Sequence, residues 1–371
     1  MNLYGDGIHK FENVVGKELS ILSSRIAEHK DSIPICVFLR ESLFNLLALL
    51  ISGERFDDAD PAKDMFGDFI RSADKMMHPA NQFMLTTFPF LRKFPGRYGD
   101  IYRDTDKAFQ VVLDKYFHGM KRSYDGRVRG IVDVLFTIQK EQEDEGSCGF
   151  TDRHVQGLLA DIVGGATMTM YSALTGFFAI LIHHPEVQRR IQEEIDRVIG
   201  SERSPELSDR LEMPYTKAVV LETLRYMSPV PIPVPRRASE DIHVDDYLIE
   251  KGSLVFYFLW SMNHNKDVYE DPWTFRPERF LDCTGNLLDA MDEKRQKLLT
   301  FGIGAHVCPG ELFAKSRMFL YITTLLSEFE FLKHSDRHTS SCDPRTFEKE
   351  FSMLPPDFLC TAMSRRNAAT H

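Results

Sequence analysis

The chain has 371 residues, of which 43% are hydrophobic and 27% are charged, so it can bury a sizeable core. This composition excludes disordered and fibrous proteins. Acidic residues number 55 against 45 basic ones, for a formal net charge of −10. Generic nucleic-acid binding needs a strong basic excess, so we expect no nucleic-acid partner.

The cysteine spacing and the hydropathy further restrict the classes of protein to which the chain can belong. No two of the six cysteines form a Cys-x-x-Cys pair, so neither a zinc site nor a redox dithiol is indicated, and their density is too low for a disulfide scaffold. They stand at positions 36, 148, 283, 308, 342 and 360. No apolar run reaches 18 residues and the start lacks the apolar stretch of a signal peptide. Taken alone, the sequence predicts a soluble protein without a membrane anchor.

The first two thirds of the chain predict a succession of helices. Phe11–His29 carries apolar residues near a 3.6-residue period, and Ile35–Ile51 is apolar nearly all round, as a buried helix is. Pro185–Gly200 has proline in its first turn and glycine at its end, the expected asymmetry of a helix. Further helices are predicted over residues 107–116, 128–140, 151–183 and 213–226.

The latter half adds a small β part. Four alternate prolines in SPVPIPVPRR exclude a helix over residues 228–237 and predict an extended segment. Short strands are expected within Asp241–Phe258, before a glycine-rich loop at 300–310 and a final helix over Glu311–Phe331. We therefore predict one mainly α domain with a small β part over residues 1–371, without an interdomain linker.

A glycine-bearing loop around one cysteine carries the main chemical signal, in the segment FGIGAHVCPGE at residues 301–311. A thiolate that ligates haem iron needs a tight backbone bend, and Gly302, Gly304 and Gly310 permit one. It needs donors near the sulfur, which the amides opening the next helix supply, because the helix dipole favours negative charge there. It also needs an apolar cover, for which Phe301 is suited. An ordinary buried thiol is the alternative for a lone cysteine such as Cys308.

The ordered string Phe-x-x-Gly-x-His-x-Cys-x-Gly resembles the ligand loop of the cytochrome P450 family. That resemblance implies that Cys308 ligates the iron of haem b (iron protoporphyrin IX). His306 stands where the family usually has arginine, and it would be a pH-dependent partner for a haem propionate.

A second motif places Glu222 and Arg225 three residues apart in LETLR, on one helix face where they can pair. An exposed pair of this kind is worth little. In the family, this Glu-x-x-Arg motif is joined by an arginine of a Pro-Glu-Arg-Phe segment, which is present here as FRPERF with Arg279. The resemblance therefore implies a largely buried network of these three residues that fixes the cysteine loop, acting as a specificity device.

Two further positions are implied by the resemblance. Arg236 ends the proline segment, where the family bonds a propionate with His or Arg; a solvent-facing arginine is the alternative. In GGATMTM, residues 164–170, Thr169 falls on the threonine of the family's oxygen-activation motif, whose hydroxyl holds water near the iron. An ordinary threonine bonded to its own helix is the alternative. The usual acid is replaced by Met168, so proton delivery would use water or another group.

The segment PEVQRRIQEEIDRVIG is similar to the animal microsomal branch of the family, which handles steroids and xenobiotics. The resemblance implies a monooxygenase that inserts one oxygen atom from O2 into an apolar small molecule. Electrons would come from NADPH through a flavoprotein cytochrome reductase docked near Cys308, and the location would be the cytosolic face of the endoplasmic reticulum membrane. Candidate contacts for an acidic partner are Lys294, Arg295, Lys297, Lys315 and Arg317.

Two other functions stay open: a haem-thiolate isomerase or dehydratase that needs no reductase, and a non-catalytic truncated isoform. By this resemblance, the first residues of the chain match a helix that, in the family, follows the N-terminal strands and the first helices. We therefore expect a cytochrome P450 fold that lacks those elements, with an exposed sheet edge.

Overall fold

A computed structural model describes residues 6–29, 32–56, 61–146, 149–335 and 341–365. Helices dominate it. Their bounds are α1 Asp6–Glu28, α2 Ile35–Ser52, α3 Pro61–Met77, α4 Pro79–Thr87, α5 Arg97–Leu113, α6 Met120–Arg122, α7 Ile131–Asp144, α8 Asp152–Leu181, α9 Pro185–Val198, α10 Pro214–Met227, α11 Leu259–Asn263, α12 Glu293–Gln296 and α13 Glu311–Glu328.

Strands form four small antiparallel pairs within the described ranges: β1 with β4, β2 with β3, β5 with β8, and β6 with β7. The prediction of a mainly α fold with a small β part is confirmed. The strand bounds are β1 Arg236–Arg237, β2 Ile242–Val244, β3 Tyr247–Ile249, β4 Leu254–Val255, β5 Phe329–Lys333, β6 Glu348–Lys349, β7 Met353–Leu354 and β8 Cys360–Ser364.

Most of the periodic helices lie where the sequence predicts them, but the helix predicted over 107–116 is α5, which begins at Arg97 and ends at Leu113. The predicted final helix over Glu311–Phe331 was wrong at its end: α13 stops at Glu328, and Phe329 begins β5, because Phe329 and Phe331 are buried in ladder pairing with β8. The helices α3 and α4 were missed. The helix predicted over 128–140 continues through Asp144 as α7, and Cys148 lies outside the described residues.

The core surrounds α8, whose second half is buried on all sides. Phe177 and Phe178 are 1% and 0% exposed and join the largest apolar cluster with residues of α1, α2, α9, α10 and α13. The first half of α8 contributes Val163 and Met168 to a second cluster, with α3, α7 and Phe351. The helix α8 therefore belongs to both clusters.

Among the described residues, two helices are long and apolar enough to cross a membrane by length and composition alone. They are α2, with a window 78% buried, and α8, with a window 72% buried. Both are packed as core helices, as the near-continuous apolar pattern of Ile35–Ile51 predicts.

A buried carboxylate ties α3 to the turn between β6 and β7. One carboxylate oxygen of Asp74 accepts hydrogen bonds from the Ser352 amide at 3.1 Å and its hydroxyl at 3.0 Å. The next residue, Met353, donates its amide to Pro229 O and accepts the Ser172 hydroxyl. The turn is thus held by three separate parts of the fold. Burial raises the pKa of Asp74 to about 6 from its ordinary value of 3.8, although the two Ser352 hydrogen bonds oppose the shift.

A raised pKa means that the folded protein binds this proton more tightly than the unfolded chain does. The stability contributed by protonated Asp74 is therefore present below about pH 4 and lost as the pH rises through about 6. We expect the unfolding free energy of Asp74→Asn, measured against wild type, to increase by about 3 kcal/mol between about pH 4 and about pH 7. Urea unfolding across that range measures it. The exposed acid Asp68 on the same helix supplies the control, Asp68→Asn, and an equal slope in both variants would contradict the assignment.

Candidate functional site

The cysteine loop has the bend that its glycines permit. Gly302 and Gly304 both have φ of +77°, a left-handed conformation that glycine adopts without steric cost. The Cys308 amide donates to Phe301 O at 2.8 Å, which closes the loop on itself. Gly310 caps α13, and a methyl group there would lie 3.7 Å from the Cys308 sulfur. Cys308 is exposed and free, so its sulfur is presented at the loop surface beside the start of a helix.

Gly165 and Thr169 lie on one face of α8 and form a strip of small residues, called here the small-residue strip. Gly165 is exposed and Thr169 is half-buried on the same helix face, whereas Val163, Met168 and Met170 are buried. A Cβ on Gly165 would meet no neighbouring atom within 4 Å. The Thr169 hydroxyl donates to Gly165 O at 2.7 Å, so its lone pairs remain free to accept a hydrogen bond.

The helix α13 connects the cysteine loop to α8. Arg317 donates from Nη2 to Ala166 O at 3.1 Å, which places α13 against α8 beside the small-residue strip. Seven residues separate Arg317 from Gly310, or about 10 Å of helix. The helix that begins at the cysteine loop is therefore tied to α8 beside the strip, about two turns after its start.

Arg236 reaches the same loop from the β part. It lies on β1 opposite Val255, and its Nη2 donates to His306 O at 3.1 Å. The structure thus brings Arg236, His306 and Cys308 to one side of the molecule. The guanidinium is partly accessible and retains donors for an anionic group.

Glu222, Arg225 and Arg279 meet in a buried cluster. Arg225 binds the Glu222 carboxylate through Nε and Nη2, both at 2.8 Å, and Arg279 Nε reaches the same carboxylate at 3.0 Å. The Arg276 amide adds a fourth donor at 2.9 Å. Their exposed fractions are 0%, 0% and 4%. This arrangement is the opposite of a solvated surface pair.

The surplus positive charge of the cluster is satisfied by backbone carbonyls. Arg279 donates to the carbonyls of residues 270, 271 and 274, and Arg225 donates to Asn263 O at 3.0 Å. Burial lowers the pKa of Arg279, and the attraction of Glu222 opposes that shift. The cluster is thus a fully coordinated ionic core, with every guanidinium given an acceptor.

The structure corrects the predicted partner contact at Arg317. That side chain is 2% exposed and packs on the Phe313 ring, with its guanidinium carbon 4.2 Å from the ring centroid. Burial lowers its pKa to about 10. Lys297 and Lys315 lie nearer the surface, each paired with a glutamate four residues earlier. Helical periodicity could have revealed the error, because Arg317 shares a helix face with the buried Tyr321.

Sequence reasoning missed Asn263 and Thr300. Asn263 ends α11 and is fully buried, and Thr300 directly precedes the cysteine loop. Both are polar residues beside apolar runs. That position is only a weak signal of burial, and their hydrogen-bonding role becomes visible only in the tertiary contacts.

Comparison with known proteins places this geometry in context. A family model described as Cytochrome P450 matches residues 1–361. The steroid 17-alpha-hydroxylase/17,20 lyase of Mesocricetus auratus is 30% identical over 336 residues, covering 88% of this chain and 65% of the relative. Cytochrome P450 1A5 of Gallus gallus is 31% identical, with coverages of 86% and 61%. Cytochrome P450 2D16 of Cavia porcellus is 30% identical, with coverages of 88% and 65%. The chain spans less than two thirds of these relatives' lengths.

Removing the central carboxylate should be costly. In Glu222→Ala two buried guanidinium groups lose their counter-ion, and we expect the unfolding free energy to fall by about 3–5 kcal/mol. Chemical denaturation measures it. The matched control is Glu270→Ala, because Glu270 pairs with Arg276 at the surface and its carboxylate side chain is 83% exposed; its loss should cost at most about 1 kcal/mol. Similar losses in both variants would show that the cluster carries no special role.

Proposed function

The chain belongs to the cytochrome P450 family, and we propose that it acts as a haem-thiolate monooxygenase. It would insert one oxygen atom from O2 into an apolar small molecule, a steroid, lipid or xenobiotic, with electrons from NADPH through a flavoprotein cytochrome reductase. The observation that carries the proposal is the accessible Cys308 sulfur on a glycine-bent loop that opens α13, the helix that Arg317 ties to α8 beside the small-residue strip. The names of the relatives, which include a steroid hydroxylase, support the substrate class.

The residues of the loop have separate tasks in this proposal. Cys308 would be the iron ligand, and haem b would supply the activation of dioxygen when bound, helped by the electron density that a thiolate donates. Gly302 and Gly304 provide the bend, and Gly310 caps the helix that follows. Phe301 covers the loop, and its carbonyl orients the cysteine backbone.

Arg236 and His306 would bind the anionic edge of the cofactor. Their closeness in the structure supports this role, because the guanidinium already lies against the His306 carbonyl and has further N–H donors to offer. The cationic partners would thus lie on the same side of the loop.

Thr169 would hold a water molecule in the cofactor site. Its own proton is committed to Gly165 O, so the hydroxyl can accept a hydrogen bond from water and orient it. Met168 is 5% exposed and cannot relay protons, so the proton would have to arrive through a chain of waters along the strip. We propose this water-dependent route in place of a carboxylate route.

The same buried Met168 favours a second candidate, a haem-thiolate isomerase or dehydratase that needs no reductase. Product formation with a hydroperoxide substrate, compared with NADPH plus reductase, separates the two functions. Turnover that depends on NADPH and reductase supports the monooxygenase, and turnover of the hydroperoxide alone supports the rival.

Sulfur ligation is tested directly on the full chain. We expect purified wild-type protein loaded with haem to show the red-shifted Soret band of a thiolate-ligated, carbon-monoxide-bound haem after reduction, and Cys308→Ser to lose that band completely. Cys283→Ser is the matched control, because Cys283 is also exposed and free, and it should retain the band. Equal haem binding and equal spectra in the two variants would refute the proposal. A chain that binds no haem would identify the non-catalytic alternative.

We also propose attachment to the cytosolic face of the endoplasmic reticulum membrane. Phe88, Phe90 and Phe94 are 40%, 56% and 59% exposed around the 3-10 helix Pro89–Lys93. Arg92 and Lys93 lie between them. Exposed aromatic rings beside cations are suited to the boundary between lipid headgroups and acyl chains, so this loop would enter the membrane surface.

Replacing the three rings should weaken binding to vesicles. We expect the partitioning of Phe88→Ser/Phe90→Ser/Phe94→Ser onto phosphatidylcholine vesicles with some phosphatidylserine to fall at least tenfold, because three apolar anchors are lost. Co-sedimentation measures it. The double variant Leu211→Ser/Met291→Ser removes residues that are 77% and 74% exposed elsewhere and should bind as wild type does. Equal loss in both variants would disprove the assignment of the loop.

A further inference from the structure

Within the described residues, the side chains of the buried charge cluster form no hydrogen bond with the cysteine loop. Among the hydrogen bonds of the described residues, the side chains of Glu222, Arg225 and Arg279 reach only each other, the Arg276 amide and the carbonyls of residues 263, 270, 271 and 274. A hydrogen-bonded connection from the cluster to the loop therefore needs an intermediate residue.

Asn263 occupies that intermediate position. Its carbonyl accepts Arg225 Nη1 at 3.0 Å, and its side-chain Nδ2 donates to Thr300 Oγ1 at 3.2 Å and to Ser228 Oγ at 2.9 Å. Both amide protons are thus used. The residue is 0% exposed, so water cannot replace either hydrogen bond.

Thr300 transfers this restraint to the loop. Its hydroxyl accepts from Asn263 and donates to Leu224 O at 3.1 Å, which fixes it against the last turn of α10. Phe301 follows directly and accepts the Cys308 amide at 2.8 Å. Three hydrogen bonds, joined by the covalent frame of Asn263 and the peptide bond between Thr300 and Phe301, therefore lead from Arg225 to the backbone of Cys308.

Ser228 holds the other end of the bridge. It is the C-cap of α10 with φ of +43°, a left-handed conformation that is uncommon for a residue with a side chain. The hydrogen bond from Asn263 to its hydroxyl restrains that turn. The bridge thus joins the end of α10, the end of α11 and the start of the loop at one buried point.

We infer that Asn263 and Thr300 are positioning residues that transmit the rigidity of the Glu222 cluster to Cys308 and so hold its sulfur at a fixed depth. The inference rests on the proposed haem-thiolate function. Glycines at 302 and 304 leave the loop free to bend, so an external restraint is needed to select one conformation. The hydroxyl of Thr300 supplies it where the loop begins.

The test removes that hydroxyl without changing side-chain shape. In full-length Thr300→Val, we expect the amides of residues 301–308 to exchange with deuterium at least tenfold faster than in wild type. In the haem-loaded protein, the reduced carbon-monoxide complex should convert at least threefold faster from the thiolate band to the band of protonated sulfur. Thr300→Ser keeps a hydroxyl and should restore both values. Thr284→Val, which removes a hydroxyl from an exposed turn, should change neither.

Wild-type exchange and wild-type band stability in Thr300→Val would overturn the inference, even if Cys308 is shown to be the ligand. If Thr300→Val does not fold, Thr300→Ala is measured in the same way and decides by the same criteria. Absence of a thiolate band in wild type would refute the proposed function instead. Amide exchange would still test the bridge in that event, because it does not require haem.

Discussion

The structure around the cysteine loop depends on one carboxylate buried between two guanidinium groups. Glu222 neutralises only one of the two charges, so the fold must supply carbonyl dipoles for the other. These carbonyls come from residues 263, 270, 271 and 274, in and after α11. The electrostatic requirement of the cluster therefore dictates the path of the chain from α11 to the 3-10 helix Pro277–Phe280.

The cysteine loop and α8 meet different structural requirements. The loop must bend sharply and still present its sulfur in one place, so left-handed glycines are combined with a hydrogen-bonded start at Thr300. The helix must be thin where the cofactor would lie yet firmly buried elsewhere. Small residues at 164–166 achieve the first, and apolar packing of its second half achieves the second. The proposed catalysis thus depends on a restrained cysteine loop and on an accessible stretch of α8.

The basic side chains near the cysteine differ in how deeply they are buried. Arg317 belongs to a run of basic residues near the cysteine, yet it is packed between α13 and α8 and donates to Ala166 O. Lys297 and Lys315 lie nearer the solvent, where a partner protein could exchange their local glutamates for its own acidic groups. The exposed phenylalanines of the 88–94 segment form a separate apolar surface with its own cations. The two surfaces would serve electron delivery and membrane attachment respectively.

The sequence by itself determined the mainly α class, the helices predicted over Ile35–Ile51 and 151–183, and the motifs around Cys308 and Glu222, because periodicity, proline spacing and short-range motifs are local properties. It did not reveal α3 and α4, the strand that ends α13, or the burial of Arg317, since these depend on which surfaces pack together. The bridge through Asn263 and Thr300 was decided by the tertiary structure alone. Its partners are up to 76 residues apart, and no local pattern indicates which buried polar atoms will meet.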